Sequence, residues 1–147
     1  MKPLVVWGAP KAGKTSIATP LGLPDRFHGD EPLAQMVFES RGAELALVVF
    51  DVMVPAQVQA ARCQVAARQA GIREVVVAAN KMDLAGYEYE AFKAARRVFL
   101  RGWHGKAPVF VPVSARFGDL IREPLDHIDW YSGPSLSDLL RIEEAIA

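Results

Sequence analysis

Near its N-terminus the chain reads "LVVWGAPKAGKTS", and no other stretch restricts the possible folds as tightly. Gly8-x-x-x-x-Gly13-Lys14-Thr15 has the spacing of a phosphate-binding loop, and the apolar run before it, Leu4–Trp7, has the length of a strand. Such a loop belongs at a strand-to-helix junction. Its glycines let the backbone turn until successive N–H groups face one phosphate, and the helix that follows adds its positive end. Gly8, Lys11, Ala12, Gly13, Lys14, Thr15 and Ser16 are therefore candidate nucleotide-binding residues. Lys14 is placed to reach the β- and γ-phosphates, and the Thr15 hydroxyl to ligate Mg²⁺. The loop alone does not choose between ATP and GTP.

The remaining pattern agrees with that junction. Three more Val-rich runs, Leu45–Phe50, Val75–Ala79 and Val109–Val113, read as strands buried on both faces of a parallel sheet. Helix-period segments lie between them. Pro55–Ala70 puts Val58, Ala61 and Val65 on one stripe and stops at Gly71. Tyr87–Arg101 repeats the pattern with Phe92, Ala95 and Phe99, ending at Gly102, and Glu31–Ser40 offers Leu33, Met36, Val37 and Ser40 at helical spacing. A last helix starts near Ser135, with Asp138 as a capping partner and Leu136, Leu139, Ile142 and Ile146 facing inward. Pro20, Gly22, Pro24 and Gly29 limit the helix after the loop to about two turns. The expected architecture is α/β: a three-layer P-loop fold whose mainly parallel sheet of four or five strands carries helices on both faces. Residues 1–147 are expected to form a single compact domain.

Seventeen basic and seventeen acidic side chains cancel, so no global field favours DNA, RNA or an anionic membrane. Cys63 is the only cysteine, which excludes an intramolecular disulfide and suits a reducing compartment. The N-terminus is too briefly apolar for a secretory signal, and no run approaches the roughly 20 apolar residues of a membrane span. A cytoplasmic location is expected.

The choice of nucleotide comes from "AANKMDLAGY", where Asn80-Lys81-Met82-Asp83 follows a strand. A carboxylate at Asp83 can accept hydrogen bonds from N1–H and the 2-amino group of guanine. Adenine offers neither donor there, so ATP would leave buried groups unpaired. Asn80 can orient the loop and reach the N7 edge, and the Lys81 stem can cover the ring. "VPVSARFGD" follows the next strand and adds Ser114, Ala115 and Arg116, with the Ala115 N–H placed for guanine O6. All three segments fall at strand C-terminal ends, where open α/β sheets bind ligands.

With "AELALVVFD", "GIREVVVAANKMDLAGY", "VFVPVSARFGD" and "IDWYSGPSLSDLL" added to the loop, the chain resembles translation-factor-type GTPases. Within these it is most similar to the large, GTP-binding subunit of bacterial sulfate adenylyltransferase. The resemblance implies a guanine-nucleotide-binding G domain that uses Mg²⁺. It also implies a protein partner, an adenylyltransferase-like subunit that joins sulfate to ATP, driven by GTP hydrolysis.

The departures bear on hydrolysis. The resemblance implies a switch I threonine between the loop and Ala43, but the sequence has only Thr15 and Thr19. It implies Asp-x-Pro-Gly-His at switch II, and the nearest counterpart is "DRFHG", giving His28 as the candidate catalytic residue and Asp25 as the metal-side acid. Asp51, ending the "LALVVFD" run, is the alternative acid. The resemblance also implies β-barrels after the G domain, and no segment within residues 1–147 is read as one. A second reading therefore stands beside the first: a degenerate G domain without hydrolysis, acting as a structural or regulatory subunit of an adenylyltransferase-type complex. A small-molecule kinase is a third, set back because the arginines lie on the Tyr87–Arg101 segment rather than in a lid. That segment's Lys93, Arg96, Arg97 and Arg101 form a basic face, solvated unless an acidic partner meets it. His104 and His127 lack ligand spacing, Cys63 lacks a neighbouring base, and Trp103 and Trp130 read as packing anchors.

Overall fold

The computed structural model describes residues 3–23, 27–28, 31–121 and 128–140, with Phe27 and His28 described by their backbone alone. Unbroken apolar runs produce the central strands β1 (Leu4–Gly8), β3 (Leu45–Asp51), β4 (Glu74–Asn80) and β5 (Val109–Pro112). A two-residue strand, β2 (Phe27–His28), completes a five-stranded parallel sheet in the order β2-β1-β3-β4-β5. The helices are α1 (Lys14–Ala18), α2 (Leu33–Ser40), α3 (Gln57–Ala70), α4 (Tyr89–Leu100) and α5 (Leu136–Leu139).

Side chains that alternate along each strand build two cores. Val5, Trp7, Ala46, Val48 and Phe50 join α2, α3 and α4 in one. Val6, Leu45, Leu47 and Val49 join α1 and α5 in the other. This is the three-layer arrangement expected from the alternation of strand and helix. Buried Trp7 donates its indole N–H to Ser40 Oγ at 3.1 Å, which fixes α2 across the strand next to the phosphate loop.

Three local expectations change. The stripe Val58, Ala61, Val65 does not face the core: Val58 is 74% exposed, and Ala60, Cys63, Ala66 and Ala67 are buried instead. With Trp7, Phe50 and Phe99 already filling that layer, the helix packs through its small side chains, rotated from the stripe of its larger ones. Cys63 is fully buried there, and burial pushes its thiol up to about 12 against the opposing charges of Arg62 and Lys14. Second, α1 is five residues long, short of two turns; the chain turns back at Pro20 and Gly22 and buries Leu21 and Leu23. Third, β2 is a strand at Phe27–His28 where the sequence reading placed none, because two residues are too few to register a periodicity. The stops at Gly71 (φ 74) and Gly102 (φ 72) are as expected, and Ser135 and Asp138 form the reciprocal capping box. Ile142 and Ile146 lie outside the described residues. No helix among the described residues is long and apolar enough to cross a membrane.

Candidate nucleotide-binding site

The parallel register brings Gly8 beside Val49, Asp51 beside Asn80 and Ala79 beside Pro112, so the loops that follow β1, β3, β4 and β5 share one edge of the sheet. Lys11 (φ 68) and Gly13 (φ 107) both take left-handed backbone conformations, which turn the loop tightly into α1. The opening amides of α1 have no intrahelical acceptor, as at any helix N-terminus. Lys14 lies over the loop, its Nζ donating to the carbonyls of Gly8 at 2.6 Å and Ala9 at 3.4 Å. Lys11, Thr15 and Ser16 are exposed, while Ala12 is buried under the loop.

The segments expected to read the base are tied directly to that loop. Asn80, only 2% exposed, donates through Nδ2 to the Ala12 carbonyl at 2.8 Å. Its Oδ1 accepts the Ala115 N–H at 3.0 Å. One amide side chain thus bridges the phosphate loop and the Ser114–Arg116 turn. Asp83 Oδ1 accepts the Ser114 hydroxyl at 2.9 Å, and Ser114 Oγ in turn accepts the Phe117 N–H at 3.2 Å. Lys81 (φ 73) turns its ammonium to Asp51 Oδ2 at 2.8 Å. Arg116 is exposed and lies over the Phe117 ring at 5.3 Å.

Comparison with known proteins decides the family. Residues 33–134 match the model of the elongation factor Tu GTP binding domain. The chain belongs to that family. Among curated relatives of this elongation factor Tu-type domain, elongation factor 1-alpha of Archaeoglobus fulgidus is 36% identical over 122 residues, covering 78% of this chain and 29% of the relative. Sulfate adenylyltransferase subunit 1 of Laribacter hongkongensis is 38% identical over 101 residues, covering 67% and 21%. The bifunctional enzyme NodQ of Rhizobium sp. (strain N33) is 36% identical over 110 residues, covering 71% and 17%. The chain thus spans less than a third of the length of these relatives. Among solved structures, the Ski7 GTPase-like domain of S. cerevisiae, bound to GDP and inorganic phosphate, has a TM-score of 0.60 at 12% identity, covering 96% of this chain and 50% of that one. A GTP-binding protein from Sulfolobus solfataricus in complex with GDP has a TM-score of 0.58 at 15% identity, covering 79% and 47%. These likenesses show the P-loop GTPase fold.

For the elongation factor Tu-type domain seen here, the structure brings Gly8–Ser16, Asn80, Lys81, Asp83, Ser114 and Ala115 to one edge. It adds a detail the sequence reading did not contain: the Ala115 N–H, expected for guanine O6, donates to Asn80. Asp51, weighed as a metal-side acid, has its carboxylate on Lys81 and on the N–H groups of Met53 (2.8 Å) and Val54 (3.3 Å). Asp25 and the His28 side chain lie outside the described residues; the His28 backbone pairs with Trp7 at the end of β2.

Mg²⁺ fits the residues present. Thr15 stands exposed on the first turn of α1, at the mouth of the phosphate loop. Mg²⁺ takes most of its ligands from phosphates and water and does not need a carboxylate cage. None is found: among the described residues no group of three or more His, Cys, Asp or Glu could hold a metal.

Sequence reasoning missed a group behind the loops expected to read the base. Tyr87 (φ 54) closes the Asn80–Gly86 loop by donating its N–H to Met82 O at 2.9 Å, and its phenol donates to Asp119 Oδ2. Burial, together with that bond, pushes the phenol far upward, so it remains a donor. Trp130 donates its indole N–H to Tyr87 O at 3.0 Å and lies against the Tyr89 and Phe92 rings. The only signals were Gly86-Tyr87 and the Trp in "IDWYSGP", and nothing local in the sequence joins them.

Proposed function

We propose that this chain is a compact guanine-nucleotide-binding domain that holds GDP or GTP, with Mg²⁺, at the edge formed by Gly8–Ser16, Asn80–Asp83 and Ser114–Ala115. The observation that carries this reading is the Asn80 bridge from Ala12 O to the Ala115 N–H. It couples a phosphate cradle to a base-reading turn, and Asp83 stands braced beside it on Ser114. In this reading Lys14 moves from loop carbonyls to phosphate oxygens. Guanine O6 takes or shares the Ala115 N–H now held by Asn80; Asp83 Oδ1, which keeps Ser114 on one lone pair, accepts N1–H on the other, and Oδ2 meets the 2-amino group. Thr15 would hold Mg²⁺, which when bound neutralises phosphate charge.

Titration of GDP, GTP and ATP tests the base assignment. GDP is expected to bind at least about a hundredfold more tightly than ATP, since a site built for hydrogen-bond donors rejects a base that lacks them. Equal affinities would refute it.

We infer further that hydrolysis is weak or depends on a partner. Only eight residues, 19–26, connect α1 to β2, and they include no threonine besides Thr19. Positioned groups around the attacking water carry most of GTPase catalysis, and switch I supplies such groups in the GTPases that this chain resembles. The partner proposed is an adenylyltransferase-like subunit, by analogy with the sulfate adenylyltransferase subunit 1 relatives. A basic surface suits an acidic partner: Lys93, Arg96 and Arg97 of α4 and its C-cap Arg101 surround a shallow concavity, and Arg68, Arg73 and Lys106 line a cavity of about 400 Å³ beside Trp103. The rival reading is a relic that no longer hydrolyses GTP and serves as a structural subunit. Single-turnover GTP hydrolysis, alone and with the partner, separates the two. Turnover abolished by Lys14→Ala eliminates the relic; its absence in both conditions favours it.

A further inference from the structure

The contacts behind Asp83 form a closed circuit. Asp83 Oδ1 accepts the Ser114 hydroxyl at 2.9 Å. Ser114 and Asp119 exchange both backbone hydrogen bonds, at 3.2 and 3.1 Å, in an isolated antiparallel bridge. The Asp119 carboxylate accepts the Tyr87 phenol, and Tyr87 ends the same loop that carries Asp83. The loop cannot shift relative to the Ser114–Asp119 turn without breaking one of these bonds. Tyr87 is itself fixed from behind. Its left-handed backbone is held by the bond from its N–H to Met82 O, and its carbonyl by the Trp130 indole, whose ring lies 5.1 Å from Phe92 and 5.3 Å from Tyr89. Met82, fully buried, anchors the near side of the loop and donates its N–H to Val113 O at 3.1 Å.

We propose that Tyr87 is a positioning residue for base selection: its bond to Asp119 straps the Asp83 loop to the Ser114 turn and so holds the Asp83 carboxylate where it can accept two hydrogen bonds. The inference rests on the guanine reading above. It also gives "IDWYSGP" a task, since Trp130 sets the backbone from which Tyr87 reaches. The physical reason is orientation. A carboxylate that accepts two donors from one base edge loses one of them with a modest swing of its loop, and a second pair of loop-to-loop contacts removes that freedom before any ligand binds.

The test compares GDP with inosine diphosphate, which lacks only the 2-amino group, and so reads where Asp83 points. The wild-type chain is expected to prefer GDP. Tyr87→Phe, which removes the hydroxyl that meets both Asp119 and Ser114, should narrow that preference at least about fivefold, the worth of one net hydrogen bond. Asp119→Ala should do the same, while Asp119→Asn, which keeps an acceptor for the phenol, should preserve the preference. Thermal unfolding measured in parallel isolates a purely structural role. If Tyr87→Phe lowers stability or leaves it alone but keeps the wild-type ratio of GDP to inosine diphosphate, the strap does not act on selection and the proposal is overturned. A wild-type chain that binds GDP no better than ATP defeats the guanine reading itself, a result visible before any variant is made.

Discussion

Replacing Asp83 by asparagine is expected to move the nucleotide preference from guanine to xanthine. The carboxylate offers only acceptors to the base edge, which suits the N1–H and 2-amino donors of guanine. Asp83→Asn exchanges one acceptor for an N–H donor. Guanine then meets donor with donor, whereas the 2-oxo group of xanthine meets the new amide. Ser114 can keep its bond to Oδ1, so the loop should stay in place. GDP affinity should fall about a hundredfold and xanthosine diphosphate affinity should rise by a similar factor, in line with the discrimination that buried, unpaired polar groups impose. Competition titrations of the two diphosphates check this. An unchanged ratio removes Asp83 from base recognition.

Gly13→Ala should cost both stability and binding. Gly13 sits at φ 107, a conformation that a side chain strains, and an added Cβ would stand closer to Asn80 Nδ2 than van der Waals contact allows. Asn80 has nowhere to retreat, since it is 2% exposed and held at both ends by Ala12 O and the Ala115 N–H. The substitution must therefore break the bridge or distort the loop. A loss of about 3 kcal/mol is expected from backbone strain and one orphaned buried amide. GDP affinity, measured under conditions where the variant is folded, should drop more than tenfold. A variant with wild-type stability and affinity would mean that Asn80 does not lock the loop from the far side.

How far the sequence reading reached follows from the range over which each feature is encoded. The phosphate loop, Asn80-Lys81-Met82-Asp83 and Ser114-Ala115-Arg116 are local chemistry at strand ends, and the parallel sheet then places them at one edge without further instruction. Phe92, Ala95 and Phe99 were legible as the inner face of α4 because large side chains dominate its periodicity. In α3 the same rule picked Val58, and the helix turned its alanines and Cys63 inward instead, since what decides is the space beneath Trp7 and Phe50, which lie in other strands. β2 escaped notice because two residues carry no pattern; only pairing with Val6 and Trp7 makes them a strand. The Tyr87–Asp119 bond joins residues 32 apart, and the Trp130 bond to Tyr87 spans 43, so no window along the chain contains either. Residues for hydrolysis were the least legible, as "DRFHG" departs from Asp-x-Pro-Gly-His and Asp51 is taken up by Lys81.

The single thiol at Cys63 gives the molecule a built-in clock. Sealed in the layer between sheet and helices and kept protonated at neutral pH, it should resist alkylation for as long as that layer stays shut. Its rate of modification by a small electrophile therefore counts openings of the core, with no engineered label. A ligand gripping the loops at the sheet's edge should slow the count in proportion to its occupancy. Rapid labelling of the folded chain, insensitive to denaturant, would mean that α3 lifts off the sheet by itself.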